Sequence, residues 1–289
     1  MAYHHPLIEA CTKVLESAEP DQKIARANQC VALMKAIQKE NQSGPDTPGP
    51  AQRSQIAPPH DLPDRPARPK FPVLVSPIDV PKRKLGSPEG RGALLHAIAH
   101  IEFNAIDLAF DMAARFAGEI ENLGLDGGQF LADWIGVGGE EALHFCMVEN
   151  RLRELGTSYG EHPAHDGLWE AALETSDMVL ARLAIAPMVL EARGLDVTPG
   201  MIAKLQAQGD SQSAAVLERI YTDEIGHVQT GTKWFRQVCK AKNCEPIQQF
   251  QALVSERFKG QLKEPFNHGA RAEAGIELAF YQEWTKSFA

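Results

Sequence analysis

Gly139-Glu140-Glu141-Ala142-Leu143-His144 and Thr222-Asp223-Glu224-Ile225-Gly226-His227 are the two stretches that decide how this chain folds. In each, a glutamate and a histidine stand three residues apart, the spacing at which two side chains share one face of an α-helix. Counting outward preserves the period. Phe130, Trp134, Val137, Glu141, His144, Val148, Leu152 and Leu155 form one apolar stripe, and Leu217, Ile220, Glu224, His227, Gly231, Trp234 and Val238 form another. Every step is three or four residues, as an amphipathic helix requires. Both Glu-x-x-His pairs interrupt a hydrophobic face near mid-helix. An ionised carboxylate there is costly without a partner, so a cation or a strong hydrogen-bond donor is expected beside it.

A two-metal carboxylate site in a four-helix bundle takes one further glutamate from each of two other helices. Upstream, Leu95, Ile98, Glu102, Ala105, Ala109, Met112 and Phe116 form a third stripe with Glu102 at its centre. Between the two pairs, Trp169, Leu173, Ser176, Leu180, Ala184, Pro187 and Glu191 form a fourth, on which Glu170 and Glu174 are alternatives to Glu191. The order is therefore Glu102, Glu141 with His144, Glu191, Glu224 with His227, a half repeated once. The expected helices run near 90–117, 128–155, 166–193 and 210–240. Residues 194–209 are a longer connection, with a short helix capped by Thr198 and opened by Pro199.

In this arrangement the chain resembles the ferritin-like di-iron carboxylate superfamily over residues 90–240. Within it, PKRKLGSPEGRGALLHAIAHIE and DEIGHVQTGTKWF are similar to an uncharacterised bacterial ferritin-like family, a domain of unknown function. Pro187-Met-Val-Leu-Glu-Ala-Arg-Gly is also similar to a segment of tRNA-modifying di-iron hydroxylases, from which Gly194-Leu195-Asp196 then departs. The resemblance implies an all-α, ferritin-like four-helix bundle holding two iron ions, with manganese as the alternative. It implies that Glu141 and Glu224 bridge the ions, that Glu102 and Glu191 are terminal ligands, and that His144 and His227 each take one ion. Glu140 and Asp223, which precede the two paired glutamates, are then expected to accept the second N–H of the opposite histidine.

The implied activity is an O2-dependent oxidoreductase or hydroxylase using an external electron donor on a small organic or modified-nucleoside substrate. Two other readings stay open: a ferroxidase or metal-storage protein, and a non-catalytic helical interaction module with a vestigial site. A formal charge of −9 argues against general nucleic-acid binding, leaving tRNA as the one nucleic-acid partner that the resemblance admits. Lys82-Arg83-Lys84 and the Arg65, Arg68, Lys70 series read as solvated linker charge. A homodimer is compatible with the pattern. No apolar run approaches the ~18 to 20 residues of a membrane span and no signal-peptide pattern opens the chain, so a cytoplasmic protein is expected. The five cysteines, odd in number and lacking Cys-x-x-Cys spacing, read as reduced structural thiols.

Outside the bundle, residues 1–40 read as a helical hairpin broken at Glu19-Pro20-Asp21, with Pro20 as a first helical residue. Residues 41–89 carry 12 of the 19 prolines, which forbids long helix. Its first part, Asn41 to Arg53, is expected to be mobile. Its second part, with Phe71, Val73, Leu74, Val75, Ile78 and Val80, is expected to wrap along the bundle. Residues 241–289 read as a helical extension: one helix from Ile247 to Phe258, another from Ala270 to Phe288, and an apolar stripe of Ile276, Phe280 and Trp284. His96 and His100 lie roughly 100° or more off the Glu102 stripe and read as structural or surface groups.

Overall fold

The computed structural model describes residues 5–43, 56, 62–80 and 85–285, and among these the protein is an all-α helical bundle. It forms two compact units, residues 1–69 with 103–143 and residues 70–102 with 144–289. The boundary crosses two long helices, α3 (Pro88–Asn122) and α4 (Gly127–Glu154), so each unit holds one half of each.

The first unit opens with two helices that pack on one another. α1 (Pro6–Leu15) is capped by His5, whose Nδ1 accepts from the Leu7 backbone N–H at 3.3 Å. α2 (Pro20–Ser43) begins at Pro20, where a missing N–H costs no helical bond. Three polar residues of α3, Asn104, Asp107 and Asp111, are fully buried at helical spacing and hold the neighbouring chain. Lys23 donates to Asp107, Arg68 donates to Asn104 at 2.6 Å, and Arg115 donates to both Asp111 and the Pro63 carbonyl. Ala67 N–H donates to the Leu15 carbonyl at 2.7 Å. Residues 62–69 are thus tied down by backbone bonds and by Arg68, which is an ion-pair partner of Asp107 instead of solvated linker charge.

In the second unit the arm behaves differently. Val75 N–H donates to the Ala164 carbonyl and Ala164 N–H to the Val73 carbonyl, a single parallel bridge. Phe71, Val73, Leu74 and Ile78 nevertheless stay exposed, Ile78 to 89%. Two main-chain bonds, not the apolar side chains expected to drive it, hold this stretch. Lys82-Arg83-Lys84 and most of Asn41 to Arg53 lie outside the described residues.

The helix expected at 166–193 is two. α5 (Gly167–Leu173) stops because the buried Arg182 donates to the Ala172 carbonyl at 2.7 Å and to the Thr175 hydroxyl at 2.9 Å, satisfying an end that would otherwise need another turn. α6 (Val179–Ile185) then runs through a π-helical segment (Ala186–Glu191) directly into α7 (Ala192–Ala207). Pro187 accounts for the π turn: it lacks an N–H and its ring crowds the preceding turn, and one wider turn absorbs both. The expected connection at 194–209 is therefore mostly helix. Thr198 is a buried interior residue of α7, not a cap, and Pro199 is tolerated on its exposed side.

Gly209, with φ +75°, turns the chain into α8 (Ser211–Ala241), which returns antiparallel against α7. A Cβ on Gly231 would sit 2.4 Å from the Pro187 ring, so glycine is needed for the π segment to lie this close to α8. Asp210 caps α8 through the Ser213 N–H and pairs with Arg151 at 2.9 Å and Arg91 at 3.1 Å. Burial works against its ionisation but is outweighed by the Ser213 and Arg151 bonds, which hold its carboxyl below the usual carboxylate range. A depressed folded value means the contribution is complete above the unfolded value and lost as pH falls through the folded one. Asp210→Ala should cost about 1 kcal/mol near neutral pH, and thermal melts should show the deficit shrinking below about pH 4; a deficit constant with pH would contradict the assignment.

The C-terminal extension is three helices where two were expected: α9 (Pro246–Arg257), α10 (His268–Glu273) and α11 (Leu278–Thr285). Gly275, at φ +83°, breaks the last one. Ile276 and Phe280 are buried as the stripe predicts, and Phe280 and Trp284 meet Phe250 edge-on. α10 is anchored by Arg271, which grips the buried Asp196 of α7 with two bonds of 2.8 and 2.7 Å.

Among the described residues α3 is long and apolar enough to cross a membrane, contrary to the expectation from sequence, and 83% of its most apolar window is buried inside the protein. Its apolarity is that of a central core helix.

Candidate metal centre

Both Glu-x-x-His pairs lie within uninterrupted α-helix, so helical geometry alone puts each carboxylate beside its imidazole. On α8, His227 Nδ1 is 3.7 Å from Glu224 Oε1. On α4, Glu141 sits one turn before His144, and both are fully buried. The four residues Glu141, His144, Glu224 and His227 come together: one ligand atom from each lies within 4.8 Å of the others. The two imidazole centroids are 5.5 Å apart.

Glu102 joins the group through His144. It is buried on α3, and its Oε2 is 3.4 Å from His144 Nδ1. The far side of the ring is also held. His144 Nε2 lies 3.0 Å from Asp223 Oδ2, and since an ionised carboxylate only accepts, Nε2 carries the proton. Nδ1 faces Glu102 and the cluster. Asp223 thus lies on the outward nitrogen of His144.

Asp223 also accepts from Arg219 Nε at 2.7 Å. Burial raises its carboxyl, and the bonds from Arg219 and His144 more than compensate, so it is held below the usual range. Arg219 was not singled out in the sequence, although its i,i+4 spacing from Asp223 is a readable pair. Loss of an outer carboxylate of this kind typically costs ~10–100-fold in metal affinity. Asp223→Asn should therefore weaken binding by about that factor in a metal titration while leaving helicity unchanged; unaltered affinity would remove Asp223 from the site.

Glu191 is outside the group of four. It ends the π segment and is half-buried. Pro187 packs on Gly231, and four residues onward along one helix and four back along its antiparallel neighbour lead to Glu191 and His227. Glu191 thus lies at the level of His227. The alternatives are on the surface: Glu170 and Glu174 are exposed on or beside α5, and Glu174 pairs with Lys259 at 2.6 Å. Glu140 is on the exposed side of α4. His96 and His100 are structural, as expected. His96 Nε2 accepts from the Gly160 N–H, and His100 lies between the Tyr159 hydroxyl and the His165 carbonyl.

The chemistry of the donor set can be judged directly. Three glutamates and two imidazoles, with no thiolate, bring oxygen and nitrogen donors together in the protein interior. Such a set suits divalent first-row cations that accept both oxygen and nitrogen ligands. The cluster could hold a metal ion.

An all-helical protein with a buried Glu/His cluster is the class that fold and site define. Residues 16–282 match the family described as protein of unknown function DUF455, and the chain belongs to that family. The matched region takes in the hairpin's second helix, the arm and the C-terminal helices as well as the cluster. An uncharacterized protein of Haemophilus influenzae is 43% identical over 211 residues, 73% of each chain. No solved structure matches the chain.

Proposed function

We propose that this protein is a ferritin-like di-metal carboxylate oxidoreductase, its site formed by Glu102, Glu141, His144, Glu191, Glu224 and His227. The observation that carries this reading is the meeting of the two Glu-x-x-His pairs, with Glu102 3.4 Å from the inward nitrogen of His144 and Asp223 3.0 Å from its outward one. A group fixed on both sides is pre-oriented for a ligand. Glu191 is included because it is half-buried and follows, on the same segment, the Pro187 that packs on Gly231 of α8.

Iron is the metal proposed, with manganese as the alternative on the same donor set. When bound, a pair of such ions would supply the binding and reduction of dioxygen by electrons from an external donor, acting on a small organic substrate. The protein's own part is then positional. Asp223 and Arg219 hold the His144 ring and keep its proton on Nε2. The apolar residues along the same stripes, Trp134, Val148, Leu217 and Trp234, are buried.

The test is anaerobic loading of the metal-free chain with Fe(II), removal of excess, and metal analysis. A pair of ions per chain, followed by dioxygen uptake on mixing with air, is expected. A stoichiometry near zero would overturn the metal centre. Turnover of many Fe(II) per chain into mineral would overturn the oxidoreductase reading in favour of storage.

A further inference from the structure

Four of the five cysteines meet in two pairs that their spacing does not reveal. Cys11 of α1 and Cys30 of α2 have sulfurs 3.8 Å apart, both fully buried. Cys239 and Cys244 meet at the end of α8, where Asn243 adopts a left-handed conformation, φ 53°. There the Cys244 N–H donates to the Cys239 carbonyl at 3.0 Å and the Asn243 N–H to the Lys240 carbonyl at 3.2 Å. This pairing of bonds brings side chains five residues apart into contact at a helix end, a place usually taken by two hydrophobic residues. Here both are thiols. Cys244 Sγ lies 3.6 Å from the Cys239 carbonyl oxygen.

We propose that Cys239 and Cys244 are a redox dithiol that a hydroperoxide converts into an intramolecular disulfide, clamping the C-terminal end of α8. The two sulfurs differ in access. Cys239 is fully buried, whereas Cys244 is half-exposed and open to a reagent in solution. Burial, and the neighbouring Cys244 thiol, push the Cys239 thiol up to about 12, so Cys239 is the partner that waits. Cys244 is the one that reacts first.

In the first step the Cys244 thiolate attacks one peroxide oxygen and the O–O bond breaks. Its sulfur becomes a sulfenic acid, and the other oxygen leaves as water or an alcohol. In the second, the Cys239 sulfur attacks the Cys244 sulfur, the S–S bond forms, and the hydroxyl departs as water with the Cys239 proton. Two thiols lose two electrons and one peroxide gains them. The Cys11–Cys30 pair has its sulfurs in contact but neither exposed, and burial raises the Cys11 thiol well above its usual value. It serves as an internal comparison: proximity without access.

The experiment treats the full chain, as purified, with a few equivalents of hydrogen peroxide, alkylates the remaining thiols, and digests without reduction. Trypsin cuts after Lys240 and Lys242, so the disulfide is read by mass as a crosslink between the peptides 237–240 and 243–257. The expected result is that crosslink, with Cys11 and Cys30 alkylated once the chain is denatured. In Cys239→Ser, Cys244 should stop at a dimedone-reactive sulfenic acid. In Cys244→Ser, Cys239 should stay reduced. An alkylated Cys239 beside an over-oxidised Cys244 in the natural chain, or oxidation of Cys11 and Cys30 ahead of this pair, would overturn the proposal.

Discussion

Glu141→Ala and Glu224→Ala should each abolish paired metal binding while leaving the metal-free protein at least as stable as its parent. The two halves of this expectation share one cause. Without a cation, Glu102, Glu141 and Glu224 crowd like charges into one interior, with Glu141 fully buried and one oxygen each of Glu141 and Glu224 within 4.8 Å of the two imidazoles. Removing either carboxylate relieves repulsion and desolvation, so the metal-free melting temperature should hold or rise. With metal the sign reverses. A ligand that binds only the folded state adds about 2.7 kcal/mol at a hundred times its Kd, so Fe(II) should raise the parent's melting temperature clearly. Each variant should lose that shift and hold less than a pair of ions. Each removes an inner carboxylate, so the loss should exceed the ~10–100-fold expected of Asp223→Asn. Variants that still bound two ions per chain would sink the ligand assignment, and variants that melted lower without metal would make these glutamates structural.

What could be read from the chain follows how uniform each helix is. Glu141 with His144, and Glu224 with His227, were legible because α4 and α8 run unbroken through them, so a three-residue spacing places both groups on one face. Glu102 was legible for the same reason on α3. Asp223 was singled out from its position before Glu224 and the resemblance together. The Glu191 stripe was harder. It was counted from Trp169 at a constant helical period, but the chain breaks at residues 174–178, where Arg182 closes α5. The π segment then adds a residue to one turn. Pro187 announced a disturbance, yet whether a proline ends a helix or widens it depends on what packs beside it. Here that is Gly231, 44 residues later.

Other features were illegible because they rest on contacts far apart in sequence. Asp196 falls in the expected connection 194–209; in the fold it is a buried residue of α7 bonded by Arg271 and the Asn267 N–H. The Cys11–Cys30 pair needs the hairpin to be folded, and the Cys239–Cys244 pair needs a left-handed residue at Asn243. The apolar run Phe71 to Ile78 reads as a stretch that wraps along the bundle; Phe71, Val73, Leu74 and Ile78 are exposed, and a backbone bridge to Ala164 holds it.

Asp107→Ala should be the most destabilising single change in the first unit, costing about 3–5 kcal/mol, because it strands a buried cation. Lys23 and Asp107 are both fully buried, and Arg68 approaches the second Asp107 oxygen at 3.3 Å while remaining one-fifth exposed. Burial pushes the Lys23 ammonium down and the Asp107 carboxyl up, and their mutual attraction acts against both shifts. The two deletions are unequal. Lys23→Met leaves Asp107 with Arg68, a partner that also holds Asn104, so it should cost less than Asp107→Ala. Lys23→Met with Asp107→Leu removes both ends at similar volume, leaves Arg68 free to turn to solvent, and should recover most of the loss. Denaturant melts around that cycle test the pairing; additive costs would show that the two charges do not depend on each other. The pH dependence supplies an independent check. In Asp107→Ala the folded Lys23 pKa falls further while the unfolded one stays at its ordinary value, so between them the unfolded chain binds the extra proton. Stability then rises with pH. The gap between variant and parent should narrow as pH rises from neutral up to the parent's own lowered Lys23 pKa and stay level above it, whereas a cavity alone would leave it constant throughout.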